Sequence, residues 1–528
     1  MPSATAYLIK NGTIIDGTGK KARSGQILVR DDKIQALDSI PSNGNYLEID
    51  AQDAIVCPGF IDVNNHSDSY WTLFEYPGQE SLLYQGITSI VGGNCGSSLA
   101  PIFKEQGIDS IRKYIDISKA LVRWETFGQF YDFLNQYRLS LNFASLIGHN
   151  TLRRSLIGNQ VRPLSKQELK IFSMSLDKAL KQGALGLSTG LVYTHAQIAS
   201  REELVSLAQI VKKHNAVYTT HIRGERQDLL ASVKEALKIA QITKVNLQIS
   251  HLKACGRESW SLQDQVMESI QTKREQGLNI NFDVYPYTQA GPVLYTLLPS
   301  WAVEGGKHAL LKRLKDPAIK QKISQEMQNN DFDYGDIIIG VSKIKYALPR
   351  YRVADIAANQ GKTSEEVVLD LIISSDDTMT TIIELMSLKN VKKALAHQAA
   401  MVATNAAGYH KKHRQTGDLV HPRCFGSIPR FLKKFVLKDK LLSLETAIAK
   451  LTRIPAEKFN LNKQIGTLEK NKKADIVVFD PKKIQDRATL KKPFQYSQGI
   501  KHLFINGKLA ILNYKLTGER SGRVLRPD

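Results

Sequence analysis

Cys95, His221 and His251 lie far apart in the chain, yet each closes a short apolar run: "GITSIVGGNCG" (86–96), "AVYTTHIRG" (216–224) and "KVNLQISHLK" (244–253). Thiolate and imidazole are good zinc ligands, and three protein ligands with one position left open is the catalytic arrangement. Taken singly, a Cys is most often a small buried apolar group and a His a satisfied polar residue. Three of them at equivalent places point to a shared metal. Other runs end in comparable residues: Asn64 and His66 in "AIVCPGFIDVNNH" (54–66), His149 in "NFASLIGHN" (142–150), Asp283 and Tyr285 in "NINFDVYPY" (279–287), and Asn405 in "AMVATNAAG" (400–408). "GALGLSTG" (183–190) is the eighth run and ends in no metal ligand.

Something must bring these ends together. Helical patterns separate several runs. "REELVSLAQIVKKHN" (201–215) puts Leu204, Leu207, Ala208 and Val211 on one face, and "DLLASVKEALKIAQ" (228–241) does the same with Val233, Ala236, Leu237 and Ala240. Eight continuous apolar strands alternating with helices predict an α/β fold, a (β/α)8 TIM-type barrel with its chemistry at the C-terminal strand ends. The competing architecture is an open doubly wound sheet.

The chain ends read differently. "YLIKNGTIIDG" (7–17) and "HLFINGKLAIL" (502–512) each predict strand, Asn-Gly turn, strand, and "GQILVRDDKIQAL" (25–37) predicts a hairpin turning at Asp31 and Asp32. "ADIVVFD" (474–480) is a further strand. Residues 1–57 and 464–528 are therefore expected to form one composite β-sandwich domain, and 58–463 the barrel. More than 100 residues separate the seventh and eighth strands. Residues around 291–390 read as a small α/β insertion able to cover the barrel mouth. In it, "DFDYGDIIIGVSKI" (331–344) is strand-like, and "TSEEVVLDLIISS" (363–375) is a helix capped by Thr363.

The net charge is +21 over 528 residues. The lysines come as scattered pairs with no nucleic-acid motif beside them, so a basic nucleic-acid scaffold is the weakest of the functional readings. No apolar run approaches the roughly 20 residues that span a bilayer. Neither nucleic acid nor membrane is expected as a partner. The four cysteines are far apart and form no disulfide framework, which with the absence of a leader pattern suggests a cytoplasmic location.

The chain resembles the D-aminoacylase (N-acyl-D-amino-acid deacylase) branch of the amidohydrolase superfamily. The matching stretches run in order from end to end: "IVCPGFIDV", "GITSIVGGNCGSSLAP", "GHNTLR", "GALGLSTGLVY", "HIRGE", "QISHLKACG", "DVYPYT", "HPRCFGSIPR", "ADIVVFDP" and "GIKHLFINGK". The resemblance implies a barrel with a terminal β-sandwich and a tightly held zinc on Cys95, His221 and His251. The fourth strand ends in "LSTG" with no Lys, which fits a Cys-type site rather than one bridged by a carboxylated Lys. A looser second metal in this family uses a His-x-His on the first strand and an Asp on the eighth. The Asp is also the general base. The matching residues here are Asn64, His66 and Asn405. Lys253, Tyr285 and Arg423 match residues that hold the substrate's α-carboxylate, and a lysine, a phenol and a guanidinium suit that task.

Two departures from the family thus fall in one half of the site. Asn405 has no proton-accepting group that titrates near pH 7, and losing a general base typically costs about 10²–10⁴ in rate. Asn64 offers only an amide oxygen, a weak substitute for imidazole on zinc. One zinc is expected, with the second site doubtful. His66 and Asp68 are alternative candidates for the missing base, while Asp68 and Asp283 equally suit structural roles. The expected function is zinc-dependent hydrolysis of the C–N bond of an N-acyl amino acid, a small carboxylate-bearing molecule, with the N-acyl-D-amino acids as the class the resemblance implies. The alternative is an impaired or non-hydrolytic amidohydrolase fold that binds such a ligand.

Overall fold

The computed structural model describes residues 6–41, 44–342, 349–375 and 379–528. All eight apolar runs form parallel strands. They are β1 (Phe60–Asp62), β2 (Ile87–Gly92), β3 (Asn142–Ser145, resuming at Ile147–Gly148), β4 (Gly186–Gly190), β5 (Val217–His221), β6 (Asn246–Ile249), β7 (Ile280–Val284) and β8 (Ala400–Val402). Each pairs in parallel with the next, from β1 to β8. The ring closes where Asn65 bridges Ala406 and the His66 backbone N–H donates to the Ala406 carbonyl at 2.9 Å. Nearly every strand residue is buried, because a parallel barrel strand faces the barrel interior on one side and the helices on the other.

The two helices read from periodicity form as expected, and others not read from the sequence join them. Lys166–Lys181 starts on a capping box between Ser165 and Glu168. Arg201–Lys213 buries Leu204, Leu207, Ala208 and Val211. Leu229–Thr243 buries Val233, Ala236, Leu237 and Ala240. Between β7 and β8 the chain makes a three-stranded antiparallel sheet (Gln289–Ala290, Ile338–Ile339, Thr381–Glu384) and several helices. Ser364–Ser374 has the expected box between Thr363 and Glu366. The stretch 331–344 forms only the short strand Ile338–Ile339 after a turn at Tyr334–Asp336, and its residues 343–344 lie outside the described residues.

Both chain ends feed one nine-stranded sheet. Ala6–Ile14, Arg23–Arg30, Lys33–Leu37, Leu47–Asp50 and Ile55–Pro58 join Ile476–Phe479, Ile500–Ile505, Lys508–Leu512 and Lys515–Leu516. The two Asn-Gly pairs behave differently. Asn506 and Gly507 both take positive φ (46° and 74°) and turn a hairpin, as a tight turn of this kind requires. At the N-terminal pair only Asn11 does (φ 56°), so Ala6–Ile14 is one strand with a bulge between Ile9 and Gly12 rather than the expected hairpin. Gly12 is needed for space there: a Cβ would sit 2.5 Å from Val56 Cγ2. No helix among the described residues is long and apolar enough to cross a membrane.

Candidate metal centre and substrate cavity

Cys95, His221 and His251 meet at the C-terminal mouth of the barrel. Their candidate ligand atoms all lie within 4.8 Å of one another, with Cys95 Sγ 3.4 Å from His251 Nε2. The local backbone is unusual. Cys95 and His251, just past β2 and β6, take positive φ (52° and 38°), as does Asn405 past β8 (47°). Such conformations cost about 1–2 kcal/mol for a residue with a Cβ. They are held here by the surroundings: Asp283 accepts from the His251 N–H at 3.0 Å, and Asp68 accepts from the N–H of Gly93 at 2.6 Å, two residues before Cys95.

The donor atoms suit a metal. His221 Nδ1 is buried with no hydrogen-bond partner among the described residues, while its Nε2 lies 3.7 Å from Glu225 Oε1. His251 presents Nε2 to Cys95 and has Glu225 Oε1 at 3.1 Å and Lys253 Nζ at 2.9 Å from its Nδ1. Ligation through Nε2 would put the proton on Nδ1, where Glu225 accepts it once the Lys253 ammonium gives up its contact with that nitrogen and bonds Glu225 alone. One carboxylate can therefore orient both rings, the usual support of a metal-bound histidine. Burial drives both imidazoles well below their ordinary pKa and keeps them neutral. Burial also pushes the Cys95 thiol up to about 12, so without a cation it stays protonated.

The altered half of the site stands beside this cluster. His66 Nε2 donates to Asn405 Oδ1 at 3.0 Å, and the buried His66 Nδ1 has no partner among the described residues. Burial lowers the His66 pKa to about 3. Asn64 Nδ2 donates to Asp283 Oδ1 at 3.0 Å, and its own Oδ1 has no partner among the described residues. Asp283 also accepts from Gln248 Nε2 at 2.9 Å, so its carboxylate braces β1, β6 and β7 from below.

A cavity of about 410 Å³ opens over the cluster, lined by His66, Cys95, His221, His251, Lys253, Tyr285, Asn405 and Arg423 among others. The insertion supplies an apolar wall including Pro292, Val293, Leu297 and Leu298. Tyr285 Oη and Arg423 Nε are buried without hydrogen-bond partners among the described residues, and the Arg423 guanidinium lies 4.8 Å from the Tyr285 ring centre. Lys253 is more committed, since its ammonium also bonds Glu225. Asp68 does not line this cavity. Its oxygens are taken by the N–H groups of Ser69 and Gly93, and burial raises its pKa to about 6. His149 lies outside the cavity too, at the start of the helix after β3, where its Nε2 is 2.8 Å from Glu203.

Sequence reasoning did not single out Glu225, although it lies four residues after His221 within "HIRGE". It also missed Tyr70, Tyr114 and Tyr193, which wall the cavity. Tyr70 and Tyr114 stack at 4.6 Å, and the hydroxyls of Tyr114 and Tyr193 lie 3.1 Å apart. Tyr193 closes the stretch "GALGLSTGLVY", whereas no quoted stretch contains Tyr70 or Tyr114.

Comparison with known proteins agrees with this architecture. The amidohydrolase family model matches residues 424–510. The N-acyl-D-glutamate deacylase of Alcaligenes xylosoxydans xylosoxydans is 30% identical over 521 residues, covering 99% of this chain and 96% of that protein. The crystal structure of N-acyl-D-glutamate deacylase from Bordetella bronchiseptica, complexed with zinc and a phosphonate mimic of the tetrahedral intermediate, superposes with a TM-score of 0.83 at 29% identity, covering 98% of this chain and 99% of that one. A D-aminoacylase structure described in terms of one-metal activation and second-metal attenuation gives the same TM-score and coverage at 27% identity.

Proposed function

The chain belongs to the D-aminoacylase (N-acyl-D-amino-acid deacylase) branch of the amidohydrolases, hydrolases of C–N bonds other than peptide bonds, and from that premise we propose that it hydrolyses an N-acyl-D-amino acid slowly, with one zinc and without the usual carboxylate base. The observation that carries this reading is the convergence of Cys95, His221 and His251 in the cavity that also holds the unpartnered polar atoms of Tyr285 and Arg423.

A zinc on these three residues would supply a Lewis acid and a water of lowered pKa. The chain's own residues do the rest. Arg423 and Tyr285 receive the α-carboxylate, with Lys253 behind them. Glu225 keeps the two imidazoles facing inward. The apolar wall from the insertion keeps bulk water from the amide.

Proton removal is the weak step. Asn405 cannot accept a proton, and a His66 whose pKa lies near 3 is a feeble base at neutral pH. Asp68 is assigned to positioning, because its oxygens hold the backbone ahead of Cys95.

Metal content of the purified chain tests the proposal, with Cys95→Ala alongside. One zinc per chain, lost in the variant together with hydrolysis of N-acetyl-D-amino acids, is the expected result. If the variant retains both metal and activity, the assignment of the centre is wrong. Tight binding of N-acyl-D-amino acids with no turnover would leave a binding protein on this scaffold.

A further inference from the structure

A second cavity of about 80 Å³ adjoins the first and shares Tyr193, Tyr295 and Val303 with it. Among the described residues, Arg112, Lys113, Arg154 and Lys307 line it, against a single carboxylate, Asp109. Lys113 is only 8% exposed. Its ammonium donates to Ser97 Oγ at 2.9 Å and to the Ser110 carbonyl at 3.3 Å, and lies 3.7 Å from the Tyr193 ring centre. None of these neighbours carries a negative charge. Burial pulls its pKa down to about 7. His195, also 8% exposed, has a buried Nδ1 with no partner among the described residues. Burial and the surrounding arginines hold its pKa near 3, an independent sign of a positive field. Buried charges are normally paired, so a lysine in this setting is short of an anion.

The position of the small cavity says which anion. The carboxylate clamp comes from β6, β7 and the segment after β8. Tyr193 lies on the other side, past β4, with its ring 5.4 Å from that of His221. In an N-acyl amino acid the α-carboxylate hangs from the nitrogen side of the amide, and the acyl chain leaves from the carbonyl side. With the carboxylate at Arg423 and the amide at the metal cluster, the acyl chain runs towards Tyr193, and Lys113 is in contact with that ring.

We propose that the small basic cavity receives a terminal anion on the acyl chain, so that the preferred substrates are amino acids acylated by a short dicarboxylic acid. The inference rests on the deacylase reading and adds the acyl class to it. Hydrolysis of such a substrate consumes one water and releases the dicarboxylic acid and the free amino acid, and the terminal anion takes no part in bond making or breaking.

The test compares N-succinyl-D-leucine with N-butanoyl-D-leucine, which differ only in the terminal charge of a four-carbon acyl group. On the zinc-loaded chain, kcat/KM is expected to be at least about tenfold higher for the succinyl compound, the scale of one charge-assisted hydrogen bond. Lys113→Met should remove that preference by raising KM for the succinyl compound, leave the butanoyl compound unaffected, and be rescued by Lys113→Arg. Equal kcat/KM for the two compounds in the unsubstituted chain overturns the proposal. If neither compound is hydrolysed, the deacylase reading fails, and calorimetric binding decides the subsite by itself: about tenfold tighter binding of the succinyl compound, lost in Lys113→Met, supports it, and equal binding overturns it. Binding of inorganic phosphate that depends on Lys113, without discrimination between the two acyl compounds, would make this a site for free oxyanions and also overturn it.

Discussion

Asn405 holds the His66 ring through its oxygen at 3.0 Å, which is the geometry an aspartate would use, but it attracts no proton. The backbone at this position (φ 47°) accepts aspartate about as readily as asparagine, since short polar side chains tolerate the left-handed region. Asn405→Asp is therefore expected to fold normally and to raise kcat by about 10²-fold or more, measured as initial rates on N-acyl-D-amino acids. An unchanged rate with intact ligand binding would argue for a non-hydrolytic role. Metal binding should also be linked to pH through one residue. The imidazoles of His221 and His251 are already neutral at pH 7, whereas the Cys95 thiol, pushed up to about 12, must lose its proton to ligate. Zinc uptake between pH 7 and 9 should thus release about one proton, and affinity should rise roughly tenfold per pH unit. Calorimetry in buffers of different ionisation enthalpy reads the proton count.

The strands announced themselves in the sequence because burial on both faces turns each into an unbroken apolar run ending in polar residues. Two of the helices, Arg201–Lys213 and Leu229–Thr243, did so through their 3.6-residue stripe. What stayed hidden was conformation within the connecting turns. Nothing in the residue types of Cys95 or His251 signals a left-handed backbone, and the N-terminal Asn-Gly pair reads like a hairpin until its neighbours claim the space around Gly12. Gly96, next to Cys95, shows how tight these turns are. Its φ is +78°, and a Cβ there would stand 2.8 Å from the Gly190 backbone nitrogen. Gly96→Ala is expected to cost about 1–3 kcal/mol in stability and to weaken zinc binding, seen together in thermal unfolding and metal titration. Glu225 was within reach of sequence reasoning, four residues after the candidate ligand His221. Lys113 was not, because its isolation from carboxylates exists only in three dimensions.

At the scale of the whole molecule, the net charge of +21 is mostly dispersed, and the small cavity gathers four of its cations. The barrel also depends on the distant chain end. Phe143 N–H on β3 donates to the Arg523 carbonyl at 3.0 Å, and Leu525 N–H returns to Phe143 at 2.8 Å. Asn142, Asp475 and Asn506 add a buried network linking β3 to the terminal sheet. Leu525 is 1% exposed, so Leu525→Ala should cost about 2–4 kcal/mol, measured by denaturant unfolding. Such pairings between residues hundreds of positions apart leave no trace in local composition.

Glu225 touches two imidazoles and the Lys253 ammonium at once. A ligand carboxylate that draws Lys253 towards itself leaves more of Glu225 for the histidines. Metal retention and cavity occupancy then form one thermodynamic cycle, in which whatever factor the ligand adds to metal affinity, the metal returns to ligand affinity. On that reading a single glutamate would make the empty chain a poorer holder of both, and the loaded chain a mutual lock.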